Sequence, residues 1–148
     1  MASDTNSWRS DESLSKIRRT ALAQKNSSTE LALWMAQLLD KKGGKHVNIL
    51  DVRELSSITD FMVIASGTSL KHIETLVNAP SQELRKSGFP ADAIEGLGTS
   101  WVVADFNDVI IHVFDEPTRK HYDLETLWSA APKVDWEPKK HSLQSLAL

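Results

Sequence analysis

Apolar positions recur along this chain in two rhythms, one helical and one of strand type, and the switches between them outline the elements. Ser27 and Glu30 have the spacing of a capping box. Leu31, Trp34, Met35 and Leu38 then recur at i, i+3, i+4 and i+7 until Gly43 and Gly44 end the run, which predicts a first helix. Val47 to Val52 alternates around Asn48 and Asp51, and Asp60 to Ser66 is a continuous apolar run. This pattern predicts an outer strand followed by a strand buried on both faces. Gly67, Thr68 and Ser69 supply a turn and an N-cap, and Leu70, Ile73, Leu76, Val77 and Leu84 form the apolar face of a second helix ending near Gly88. Pro80 lies inside that helix. It has no N–H for the carbonyl of Leu76 and its ring crowds that carbonyl, so a kink or break is expected near Asn78.

Downstream, Ala93 to Glu95 reads as a short strand. Trp101 to Phe106 and Val109 to Phe114 form a hairpin turned by Asn107 and Asp108, which tolerate positive φ. With that turn, Val102, Ala104, Phe106, Val109, Ile111 and Val113 share one face. Trp101, Val103, Ile110 and Phe114 share the other with Asp105 and His112. A last helix opens near Glu116, with Pro117 in its first turn and Leu124, Leu127 and Trp128 as its core stripe, and Pro132 ends it. At 100° per residue, Tyr122 falls well off that stripe and is expected to face outward.

The order helix, strand, strand, helix, strand, hairpin, helix predicts an α/β (α+β) fold: a single mixed sheet flanked by helices. At 148 residues, 41% hydrophobic and 25% charged, the chain is sized for one domain with a real core. Residues 1–28 carry few large apolar groups and are expected to be a disordered leader. Residues 29–131 form the domain, and 132–148, with Pro138 and the Lys139-Lys140 pair, are expected to be a mobile C-terminal tail. Asp4, Asp11 and Glu12 argue against an organelle transit peptide, so an organelle homologue is the lesser reading.

Composition narrows the function classes. The absence of cysteine removes disulfides and thiolate metal sites, and it fits a reducing, cytoplasmic setting. No apolar run is long enough for a membrane span. A net charge of −3 argues against phosphate-backbone contact as the main binding term and points to a protein partner, with no sequence-specific nucleic-acid binding expected.

Candidate chemistry is thin. The Gly67-Thr68-Ser69 turn before a helix is a phosphate-site candidate, yet it lacks the Lys and glycine spacing of nucleotide loops, so an ordinary N-cap is the preferred reading. Asp105 and Asp108 could be imagined as a magnesium pair, but one ends a strand and the other lies in a turn, where Asp is common for its own backbone bonding. The five histidines are scattered without ligand spacing, and His112 sits in a strand with no nucleophile to pair with it. Neither a metal, a cofactor nor a catalytic residue is expected. More informative is the apolar surface. Both hairpin faces need cover, and large aromatics such as Trp101 are typical interface anchors. Tyr122 joins that argument if it proves to neighbour Trp101.

Leu50-Asp51-Val52, the run Ser56 to Ile64, Gly67-Thr68-Ser69 and His72, then Glu95-Gly96, Trp101 to Phe106 and Asp108 to Phe114 occur in one order. Glu116, Arg119, Tyr122, Leu124, Glu125, Leu127 and Trp128 continue it. Together these segments resemble the signature of the Iojap-like ribosomal silencing factors over roughly residues 30–130. That resemblance implies a fold related to nucleotidyl transferases, without enzymatic activity. It also implies binding to large-subunit ribosomal protein fourteen and steric exclusion of the small subunit, lowering translation when nutrients are scarce. Trp101 and Tyr122 match aromatic positions of the family's ribosomal-protein contact, and Arg119, a further partner-binding candidate, matches a basic position at the start of the last helix. Asp105, Asp108 and His112 match positions whose role the resemblance does not separate from folding. Pro80, Pro117 and His121 depart from the family pattern. The competing readings are a nucleotidyltransferase-like enzyme working at the Gly67 turn and an adaptor that forms a homodimer through the second sheet face.

Overall fold

The computed structural model describes residues 27–137. The expectations for the leader up to residue 26 and for the tail from residue 138 lie outside them. The elements are α1 (Ser27–Lys41), β1 (Lys45–Asp51), β2 (Phe61–Ser66), α2 (Leu70–Lys86), β3 (Ala93–Glu95), β4 (Trp101–Asp105), β5 (Val109–Phe114), α3 (Glu116–Tyr122), α4 (Leu124–Leu127) and β6 (Lys133–Val134). They build one six-stranded mixed sheet in the order β3-β4-β5-β2-β1-β6. The pair β2–β5 is parallel and lies at the centre, and the other pairs are antiparallel.

The period of two in the strands divides the sheet into two faces. Val47, Ile49, Phe61, Val63, Ala65, Val102, Ala104, Val109, Ile111 and Val113 form one face, which packs against Ala32, Met35, Ala36 and Leu39 of α1 and Ile73, Leu76, Val77 and Leu84 of α2. Leu50, Val52, Met62, Ile64 and Phe114 form the other, where Leu124, Trp128 and Ala131 cover them. Every residue of β2 is buried, because the strand has helices on one face and the α3–α4 segment on the other. The hairpin register opposes Trp101 to Phe114, Val103 to His112 and Asp105 to Ile110, as the alternation predicts.

Four local expectations are corrected. The buried stripe of α1 is Ala32, Met35, Ala36 and Leu39, whereas Leu31, Trp34 and Leu38 are only partly buried at its margins. The alanines let the helix lie close to the sheet, so the largest side chains do not mark its centre. Second, α2 is not broken at Asn78. Pro80 is buried on its sheet-facing side, and Ser81 Oγ donates to the Val77 carbonyl at 2.7 Å. Packing of that apolar face outweighs the proline's cost of about 3 kcal/mol.

Third, the last helix is two helices. Asp123 adopts the left-handed conformation (φ 49°, ψ 56°), which ends α3 and starts α4 in a new direction. As a result Leu127, expected in the core stripe, is 73% exposed. Fourth, residues 133–136, expected in the C-terminal tail, lie against the sheet. Lys133 and Val134 pair with Leu50 and Ile49, so β1 is not an outer strand. Trp136 packs against the core and its Nε1–H donates to the Val47 carbonyl at 2.8 Å.

Candidate functional site

The second face of the sheet is covered unevenly, and the uneven part holds the aromatic residues. α3 is fixed over the start of β4 by local bonds. Asp115 caps it by accepting from Thr118 N at 2.9 Å, Pro117 sits in its first turn, and Thr118 Oγ1 donates to Ser100 Oγ at 2.9 Å. On the opposite side of Trp101, a tight turn brings Gly96 against β4. Gly96 has φ +88°, and a Cβ there would stand 2.2 Å from the Trp101 carbonyl, so only glycine fits. Thr99 Oγ1 closes the same turn on the carbonyls of Gly96 and Trp101.

Trp101 is thereby held half-buried at the first position of β4. Its ring stacks on Phe114 at a centroid distance of 5.2 Å, and its Nε1–H donates to His112 Nδ1 at 3.2 Å. Tyr122, the last residue of α3, lies 4.6 Å from the Trp101 ring and is 52% exposed. The two aromatics that the sequence picked out separately are therefore neighbours. His121 meets Tyr122 edge-on at 4.8 Å, a contact no helical spacing rule would have found because adjacent residues do not normally face one another.

His112 lies beneath this surface, only 9% exposed, and burial pushes its pKa from 6.5 down to about 4. It is a neutral ring at pH 7, with Nδ1 accepting and the proton on Nε2. Among the described residues, its side-chain hydrogen bond is the one from the Trp101 indole.

Arg119 also points inward. It donates through one nitrogen to Ser66 Oγ at 2.8 Å and through the other side of its fork to both oxygens of Glu125, which accepts from Asn48 Nδ2 at 2.9 Å as well. Burial raises the Glu125 pKa, but the bonds from Arg119 and Asn48 outweigh it and leave the carboxyl below its ordinary value. With 7% exposure, Arg119 ties α3 to β2 and α4 through Ser66 and Glu125. Nothing in the spacing of Ser66 and Glu125 links either of them to Arg119 in the sequence.

Asp105 and Asp108 lie at the other end of the hairpin from Trp101. Asp105 Oδ1 accepts from Asn107 N at 2.8 Å and shapes the turn, where Asn107 has φ +75°. The Asp108 carbonyl accepts from Asp60 N and Phe61 N, anchoring the start of β2, and burial together with the nearby Asp60 charge raises the Asp108 carboxyl pKa. Neither residue adjoins the aromatic pair.

The Gly67 turn is committed to structure. Gly67 N donates to the Phe114 carbonyl at 2.8 Å, Thr68 N to His72 Nδ1 at 2.9 Å, and Ser69 Oγ accepts from His72 N at 3.0 Å. His72 Nε2 reaches the Lys42 carbonyl at 3.1 Å, so this histidine clamps the α1–β1 loop onto the turn. Among the described residues no group of three or more His, Asp or Glu side chains is placed to hold a metal ion, and no helix is long and apolar enough to cross a membrane.

With this geometry in place, a family model described as "ribosomal silencing factor during starvation" matches residues 25–147. The chain belongs to the ribosomal silencing factor family. A ribosomal silencing factor from Halalkalibacterium halodurans is 32% identical over 112 residues, covering 75% of this chain and 96% of that protein. A crystal structure of a Chromobacterium violaceum protein superposes with a TM-score of 0.64 at 30% identity, covering 72% of this chain and 87% of the other. A mouse relative, named for mitochondrial assembly of the ribosomal large subunit, is 30% identical over 99 residues, which span 64% of this chain and 43% of its own length. The family match reaches past the domain end expected at 131 and includes β6 and Trp136. Iojap proteins of plant organelles are among the relatives too, as the sequence signature implied.

Proposed function

We propose that this silencing factor docks on the large ribosomal subunit through the Trp101–Tyr122 face and holds off the small subunit by occupying its place. The observation that supports this most is the aromatic pair itself. A half-exposed tyrosine packed 4.6 Å from a half-buried tryptophan presents large, rigid apolar area at little entropic cost. Val103 and Ile110, partly buried on the same face, extend the apolar surface along β4 and β5. The partner surface in this reading is ribosomal protein fourteen, the protein acts in the bacterial cytoplasm, and no covalent chemistry is involved. The commitment of the Gly67 turn's polar groups to His72 and Phe114 disfavours the transferase alternative.

The test is site-specific photo-crosslinking from position 122, with a benzophenone amino acid in place of Tyr122, on isolated large subunits. The expected product joins the chain to ribosomal protein fourteen. Crosslinks to ribosomal RNA alone, or to a protein remote from the intersubunit face, would refute the assignment.

A further inference from the structure

We propose that His112 is a positioning residue for the docking face: its Nδ1 takes the indole N–H of Trp101 and fixes that ring in the orientation it presents to the partner. The inference rests on the docking role proposed above for Trp101 and Tyr122.

Trp101 directly opposes Phe114 across the hairpin, and His112 is its diagonal neighbour, two residues back on β5. Diagonal pairs lie within reach of aromatic side chains. The ring of Trp101 stacks on Phe114 at 5.2 Å and 30°, and a stack of this kind fixes the plane of an indole but not which edge points where. An indole turned over in that plane would keep the Phe114 contact and carry its N–H to the other side. Indole has a single donor and no acceptor, so one acceptor suffices to choose between the two arrangements. His112 supplies it at 3.2 Å, with ring centroids 6.0 Å apart.

The surroundings of His112 argue that the acceptor, and not mere bulk, is the reason for this residue. Its neighbours across the sheet are Val103 on one side and Ile64 on the other, both apolar. A β-branched or aromatic hydrocarbon would fill this strand position without the cost of burying a polar ring. Burial keeps the ring neutral near pH 7, so the Nδ1 lone pair stays available. Because His112 is only 9% exposed, it acts through Trp101 and does not itself touch the partner.

Two substitutions separate the acceptor from packing. His112→Phe keeps a ring and removes the acceptor, whereas His112→Asn places a carbonyl oxygen close to where Nδ1 stood. Both are compared with wild type for co-sedimentation with isolated large subunits and for the Trp101 indole resonance in a nitrogen–proton correlation spectrum, assigned by its loss in Trp101→Phe. The phenylalanine variant is expected to shift that resonance and bind about five- to ten-fold more weakly, in keeping with loss of one neutral hydrogen bond, and the asparagine variant to recover most of the binding.

Normal binding by a folded His112→Phe variant would overturn the proposal, as would an equal loss in His112→Asn, which would trace the effect to packing. Should both variants fail to fold, the wild-type chain still decides the geometry. A scalar coupling between Trp101 Nε1 and His112 Nδ1 across the hydrogen bond is expected, and its absence refutes the positioning role. Failure of wild type to bind large subunits would instead sink the docking role, a result distinct from any change in the indole signal.

Discussion

Replacing Arg119 with methionine tests whether this side chain is structural or faces the partner. The Arg119 side chain is 8% exposed and that of Glu125 24%, and the pair also engages Ser66 and Asn48. Removing one member of a buried pair costs about 3–5 kcal/mol because the other charge is left uncompensated. Glu125 retains some water contact and the bond from Asn48, which brings the expected loss down to roughly 2–4 kcal/mol. For a domain of this size that lowers the thermal midpoint by roughly 8–16 °C. Urea unfolding followed by tryptophan fluorescence measures the loss. The double variant Arg119→Met/Glu125→Leu should recover at least half of it, since no buried charge remains. Under conditions where Arg119→Met is still folded, its binding to large subunits should be close to wild type. A variant within about 0.5 kcal/mol of wild type that nonetheless loses binding would refute this reasoning and return the guanidinium to the interface.

Three further outcomes follow from the same packing. The folded-state pKa of His112, about 4, lies below its ordinary 6.5, so the unfolded chain takes up this proton first as pH falls. The His112 contribution to stability is therefore intact above pH 6.5 and is lost progressively toward pH 4, by about 3 kcal/mol in all at 1.36 kcal/mol per unit. Urea titrations at several pH values should show a steeper loss of stability between pH 6.5 and 4 in wild type than in His112→Phe. Gly96→Ala forces an alanine to φ +88° with its Cβ against the Trp101 carbonyl, and it should cost roughly 2–4 kcal/mol in the same unfolding assay while altering the Trp101 emission. Trp136→Ala removes a core contact and the bond to the Val47 carbonyl, and a loss of about 2–3 kcal/mol would place residues 133–137 within the cooperative unit.

The strand part of the fold was legible because alternation fixes which side chains share a face, and a one-residue slip would have turned Val102, Ala104 and Ile111 away from α1 and α2. The Ser69 cap and the Gly88 stop on α2 were legible for a similar reason, since each satisfies a local backbone demand. Other features are decided by distant packing. The large residues Leu31 and Trp34 drew attention away from Ala32 and Ala36, whose small size lets α1 approach the sheet. Asp123 gives little warning that it will turn left-handed, and without that break the i to i+6 pairing of Arg119 with Glu125 is invisible. A strand as short as Lys133–Val134 has no periodicity to read. Of the candidate site, Trp101 and Tyr122 could be named from pattern and resemblance, whereas the inward roles of Arg119 and His112 follow only from the geometry of their partners.

The most direct test of the docking account is a subunit-joining assay with purified ribosomal subunits and either the wild-type chain or Tyr122→Ala. Tyr122 is half exposed and ends a short helix, so its truncation should leave the fold intact. Wild type is expected to bind the large subunit and suppress joining, and Tyr122→Ala, equally stable, to lose at least ten-fold in potency, about 1.4 kcal/mol of binding. A folded Tyr122→Ala variant that blocks joining as well as wild type would contradict it.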